Sequence, residues 1–234
     1  MGSMARTLNL ETHTVRREAF VDAATRLMTT KGYEQMSIQD VLDAVGASRG
    51  AFYHYFDSKQ ALLEAITDRI ADQALAQVGP IVDDPKRAAI PKLEAFFAGI
   101  AQYKTEHKAL MLQFINVWKS DDNAIAREHL RRTMIKKVAA VVERIVRQGV
   151  AEEVFAVESP AETAFILMTL IGGLQDEATD LFLARQANTI SYEDAARTMA
   201  SFTTAFERIL GSSRGSIQMV DQSTLREWFG QEGQ

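Results

Sequence analysis

Cysteine is absent from the 234 residues, which excludes disulfides and every zinc site built on thiolates. A reducing, cytoplasmic setting is therefore expected. No apolar run reaches the roughly 18 residues that cross a bilayer, and the start of the chain lacks the apolar region of a secretion signal. No membrane partner is expected. Positive charge is not in excess either: the net charge is −5 and the pI about 5.5, which argues against a general polyanion binder. Histidine is scarce. His13, His54, His107 and His129 show no i, i+4 metal spacing with a carboxylate, and neither a glycine-rich phosphate loop nor a nucleophile elbow occurs. His107 beside Glu106 and His129 beside Glu128 could serve acid–base chemistry, but such neighbours are more often surface pairs. The expectation is no enzyme, no cofactor and no metal.

What is present is an ordinary soluble composition, 47% hydrophobic and 24% charged, in a length that suits one small and one larger helical domain. Residues 1–60 hold seven Lys and Arg against seven Asp and Glu, so the negative balance lies entirely beyond them. Met1-Gly2-Ser3-Met4 reads as a cloning remnant with a native start at Met4, and residues 1–13 as a mobile arm.

The most specific stretch is Ser37–Lys59. Ile38, Val41, Leu42 and Val45 make one apolar helical stripe, with Ser37 as its N-cap and Asp40 placed to complete a capping box. Gly46 can close that helix in the left-handed conformation and Ser48 can cap the next. In the second helix Phe52, Tyr55 and Phe56 face inward, leaving Arg49, Gly50, Tyr53 and His54 outside. A guanidinium, a glycine for close backbone approach, a phenol and an imidazole suit base edges and phosphates in a major groove. Lys59 in the first turn of a third helix, capped by Ser58, adds a phosphate clamp. The competing reading is a helical hairpin whose aromatics are all core.

Residues 16–70 resemble the DNA-binding domain of the tetracycline-repressor (TetR) family of bacterial regulators. The likeness rests on Lys31-Gly32-Tyr33, Ser37-Ile38-Gln39-Asp40-Val41, Val45-Gly46-Ala47-Ser48-Arg49-Gly50, Phe52-Tyr53-His54-Tyr55-Phe56 and Ser58-Lys59-Gln60-Ala61-Leu62-Leu63, in that order. The resemblance implies phosphate contacts at Ser37, Tyr53, Tyr55 and Lys59, and base reading from Ser48, Arg49 and Gly50. At Ala51 the family often has Thr, so a methyl contact with thymine replaces a hydroxyl contact.

The remaining chain reads as helices. Phe20, Ala23, Ala24, Leu27 and Met28 stripe a first helix capped by Thr14, and a helix over 58–78 stops at Gly79-Pro80. Ser120-Asp121-Asp122-Asn123 reads as a polar turn before a long helix to Gln148-Gly149, whose basic residues form a solvated face. Ser159-Pro160-Ala161-Glu162 starts a helix that is apolar all round from Phe165 to Leu174, and Ala195, Met199, Phe202, Phe206 and Ile209 make a seam on the last long helix. Those two helices suit either a four-helix dimer interface or a closed monomer core. The stretch from Gly211 to Ser223 reads as a Gly/Ser-rich linker, with Leu225, Trp228 and Phe229 docking a final short turn.

The fold class expected is all-α, of nine or ten helices: a DNA-binding bundle over 14–60, a linking helix over 58–78, a ligand-binding and dimerisation domain over 80–211, and a tail over 212–234. The resemblance implies a homodimeric repressor that holds a palindromic operator in double-stranded DNA and is released by a small, largely apolar effector. It also implies an effector cavity in the larger domain, with Phe97, Tyr103, Met111, Phe114, Trp118, Phe165, Met168 and Gln175 as candidates. An activator of the same family, and a helical ligand-binding protein that does not bind DNA, are the alternatives.

Overall fold

The computed structural model describes residues 2–119 and 124–230, with side chains for all of these except 2–12, 116–119, 125–126 and 129–130. Among the described residues there are ten helices and no strand. They are α1 (Gly2–Lys31), α2 (Ile38–Val45), α3 (Arg49–Tyr53), α4 (Lys59–Asp83), α5 (Ala89–Glu106), α6 (Lys108–Lys119), α7 (Ala124–Ala151), α8 (Pro160–Gln186), α9 (Tyr192–Leu210) and α10 (Gln222–Phe229).

The chain divides into two compact units that do not follow its linear order. One comprises residues 1–71 and 107–130, the other 72–106 and 131–234. The expected boundary near 60–80 thus falls inside α4, and α6 joins the N-terminal unit. Leu110 is buried in that unit's core, with Met111 and Phe114 packed against it.

In the first unit, Phe20 of α1 and Phe52 of α3 are sealed from solvent and meet edge to face at 5.6 Å, with Phe56 5.7 Å beyond Phe52. Arg69 of α4 ties back to α1: it pairs with Asp22 and donates to Thr25 Oγ1 at 2.7 Å. Where a polar arm is expected, α1 already runs from Gly2. No proline or glycine lies between Ser3 and Lys31 to stop the helix from propagating upstream of Thr14.

In the second unit, Phe96, Val142, Ile145, Leu167, Phe206 and Leu210 centre the core. Gly149 is obligatory there, because a Cβ would stand 2.0 Å from the buried Phe155 ring. Glu152 accepts from the Ala89 backbone N–H at 2.8 Å and so caps the start of α5; that bond, with one from Gln148, holds its carboxyl below the usual range.

Two helix ends depart from expectation. α4 does not stop at Gly79-Pro80 but carries Pro80 within it to Asp83. Val78 and Val82, one turn apart and both buried, hold the helix across the proline, while Pro80 itself is exposed. Ser159 precedes α8 in extended conformation without a side-chain capping bond, leaving Pro160 as the starting signal. The polar turn at 120–123 lies outside the described residues. Phe229 docks as expected, buried, with Trp228 Nε1–H donating to Thr105 Oγ1 at 3.0 Å, but the stretch read as linker is not free of the core, since Ile217 and Met219 are buried in it.

Candidate nucleic-acid interface

The turn that positions the site is fixed by local chemistry. Ser37 Oγ accepts from the Asp40 N–H at 3.1 Å while the Asp40 carboxylate accepts from the Ser37 N–H at 2.7 Å, a complete capping box at the start of α2. Lys31 Nζ donates to the same carboxylate at 2.7 Å. The lysine first, then the Ser37 N–H and the Ser37 hydroxyl, which donates to the carboxylate at 2.7 Å, hold the Asp40 carboxyl well below the ordinary carboxylate range. Gly46 ends α2 at φ 67°, ψ 38°, the left-handed region that favours glycine, with nothing near the position a Cβ would take. Ser48 then caps α3 by accepting from the Ala51 N–H at 3.2 Å, and Ser58 Oγ accepts from the Ala61 N–H at 3.0 Å to start α4.

On this frame α3 is two-sided. Phe52 is completely buried, whereas Ser48, Arg49, Gly50, Tyr53 and His54 are exposed. Ala51 is partly covered, and the Ser37 side chain is exposed but engaged in its cap. Arg49 makes no ion pair among the described residues, and no Cβ neighbour crowds Gly50. A guanidinium, two hydroxyl-bearing groups, an imidazole and an unobstructed backbone therefore share one short helix and its two caps, the inventory that contacts to base edges and phosphates require.

Tyr55 and Lys59 are seated more deeply than Arg49, Tyr53 and His54. The Tyr55 ring packs against Phe20 at 5.9 Å and is overlain by His13 at 4.5 Å. Lys59 Nζ lies 4.2 Å from the centre of the buried Tyr33 ring and 3.4 Å from the Glu34 carbonyl oxygen. Burial pushes the Lys59 ammonium down and the Tyr33 phenol up to about 12.

One member of this surface is missing from the sequence expectations. His13, assigned to a mobile arm, stands on α1 beside both His54, at 5.4 Å between ring centres, and Tyr55. Nothing local announces it, because its partners lie some forty residues on. Arg17, by contrast, is occupied over the Phe56 ring at 5.2 Å and with Glu18 at 3.2 Å. Among the described residues no group of three or more His, Cys, Asp or Glu could hold a metal ion, and no helix is long and apolar enough to cross a membrane.

The candidates for an effector site are divided between the units. In the second, Tyr103 is buried and its hydroxyl donates to Gln73 Oε1 at 2.9 Å, Phe97 packs edge to face on Phe96 and Phe206, and Met168 lies in the core. Phe165 and Gln175 do not join them. They lie on the solvent side of α8, Phe165 half exposed, because the inward stripe is Ala164, Leu167, Met168 and Leu174. Met111 and Phe114 pack on the first unit's core, and the Trp118 side chain lies outside the described residues.

Residues 20–66 match the family model described as bacterial regulatory proteins, tetR family. The chain is 32% identical over 98 residues to the HTH-type transcriptional regulator EthR of Mycolicibacterium smegmatis, covering 40% of this chain and 45% of that protein. It is 28% identical over 123 residues to the HTH-type transcriptional repressor KstR2 of Rhodococcus jostii, covering 48% and 60%. These matches span less than two thirds of the relatives' own length. The fold extends further: a TetR transcription regulator from Haloarcula marismortui superposes at a TM-score of 0.59 with 20% identity, over 82% of this chain and 98% of that one. Residues 20–66 thus match the DNA-binding part of the tetR family of bacterial regulatory proteins, and the all-helical fold of the chain is shared with a TetR transcription regulator.

Proposed function

We propose that the protein is a cytoplasmic transcriptional repressor that binds a palindromic operator as a homodimer and is released by a small, largely apolar effector. The observation that carries the DNA reading is the division of α3 and its caps between a buried Phe52 and an exposed row of Ser48, Arg49, Gly50, Tyr53 and His54. Arg49 reads base edges from the start of that helix; Tyr53, His54, Tyr55, Lys59 and Ser37 hold phosphates, and Ala51 offers its methyl group to thymine. The likeness to KstR2, a transcriptional repressor, and to EthR, a transcriptional regulator, supports the regulatory part.

The dimer rests on α8. Phe165 and Ile166 are each about half exposed, at 50% and 51%, and exposed Thr169 and Gly173 continue the strip one and two turns on. No Cβ neighbour lies near Gly173, so another helix can approach closely there. A second copy presenting the same strip would bury it and set two recognition helices one helical repeat apart. Effector binding beside Tyr103 and Phe97 would act through α4, which contributes residues to both units, and shift the population away from the DNA-binding arrangement.

Selection of bound duplexes from a random pool at about 150 mM salt, where loose electrostatic binding is screened, tests the reading. A palindromic consensus is expected. Absence of enrichment from folded protein contradicts it.

A further inference from the structure

Between α9 and the loop that follows it lies a cleft of about 290 Å³, entirely within the second unit. Met199, Ile217, Met219 and Leu225 give it apolar walls, and Glu207 and Arg214 contribute charged side chains. Glu207 is 4% exposed. Its carboxylate accepts a single hydrogen bond, from the Ile217 N–H at 3.2 Å, and among the described residues no cationic nitrogen lies within ion-pairing distance of it. A carboxylate offers about four acceptor sites, so most of this one's capacity is unfilled. Burying a carboxylate without a cation is costly, and a ligand that supplies one recovers that free energy on binding. Arg214 is exposed on the loop and lines the cleft without pairing with Glu207.

We propose that this cleft binds a small organic cation, a primary ammonium that donates to Glu207 and carries a short alkyl body against Met199, Ile217, Met219 and Leu225. An ammonium brings three donors to a carboxylate that has one partner, and the volume lies at the small end of ligand pockets, which favours a short alkyl chain over a ring system. Arg214 lines the same cleft, and its guanidinium disfavours a second cation there. The site is separate from the effector candidates and stands whether or not the chain binds DNA.

Titration calorimetry on the full chain, in phosphate buffer near neutral pH and without DNA, tests this with n-hexylamine against 1-hexanol and hexanoate. The amine is expected to bind one per chain, at least about tenfold more tightly than the alcohol, with no binding of the carboxylate. Glu207→Gln, which keeps the shape and the Ile217 bond, is expected to erase the preference for the amine, and Arg214→Ala to strengthen amine binding about threefold. Equal binding of amine and alcohol by the unmodified chain, or an unchanged amine affinity in Glu207→Gln, overturns the proposal. Should Glu207→Gln fail to fold by circular dichroism, Arg214→Ala decides: weaker or absent amine binding in that variant refutes the site.

Discussion

Lys59 places its ammonium 4.2 Å from the centre of the Tyr33 ring and within reach of the Glu34 carbonyl oxygen, with no carboxylate at ion-pairing distance among the described residues. The ring face and the carbonyl orient the cation without neutralising it, and desolvation lowers its pKa. A phosphate oxygen arriving at this seat would meet a charge already held in place.

Replacing Lys59 with Ala is therefore expected to weaken binding to all duplexes alike and to reduce the slope of log affinity against log salt by about one. Tyr53→Ala should also weaken all sequences uniformly. Arg49→Ala should cost about 1–3 kcal/mol on the selected site and relax base preference at one position of each half-site. Anisotropy titrations over a salt series separate the two behaviours; equal loss on operator and random DNA for Arg49→Ala would remove its reading role.

The cap of α2 makes a pH prediction. The Asp40 carboxyl is held below its ordinary value of 3.8 by Lys31 and Ser37. A depressed folded pKa contributes stability that is present above the unfolded value and is lost as the pH falls through the folded one. Exchange protection of the Val41–Val45 amides, corrected for intrinsic rates, should drop as the pH is lowered below about 4, and Asp40→Asn should show low protection with no such step. Ser37→Ala should cost about 0.5–2 kcal/mol by loss of the N-cap.

Two glycines fail differently when substituted. Gly46→Ala meets open space but must keep φ 67°, at a cost of about 1–2 kcal/mol, and Gly46→Asn should cost less. Gly149→Ala drives a methyl group into the Phe155 ring and should cost about 1–3 kcal/mol through displaced core packing. Denaturant midpoints of the variants check both values; a Gly149→Ala variant as stable as the parent would contradict the close packing.

The exposed strip of α8 predicts the assembly. Phe165→Glu together with Ile166→Glu should leave helicity unchanged and convert a dimer to a monomer in sedimentation, with loss of full-palindrome binding. A monomeric parent, or a dimer untouched by both charges, would place the interface elsewhere.

The helix-turn-helix was legible because each of its determinants acts within a few residues: the cap at Ser37, the left-handed Gly46, the cap at Ser48 and the Phe52 side of α3. What the sequence hid depends on distant partners. Pro80 reads as a stop, yet Val78 and Val82 keep α4 continuous through it. His13 reads as part of an arm until Tyr55 supplies its neighbour. Phe165 reads as buried in a helix that is apolar all round, and only the packing of Leu167 and Met168 shows which side turns inward. Charge composition was the least informative guide, since the acidic balance of the whole chain says nothing about the one face where Arg49 stands.

The measurement that bears most directly on the central claim is a paired titration of the unmodified protein, at about 150 mM salt, with its selected palindromic duplex and with a shuffled duplex of the same composition. A sequence-reading dimer should bind the palindrome at least about a thousandfold more tightly, with two chains per duplex. Equal affinity for both duplexes, or no retention of either by folded protein, would contradict the account of α3 as a recognition helix.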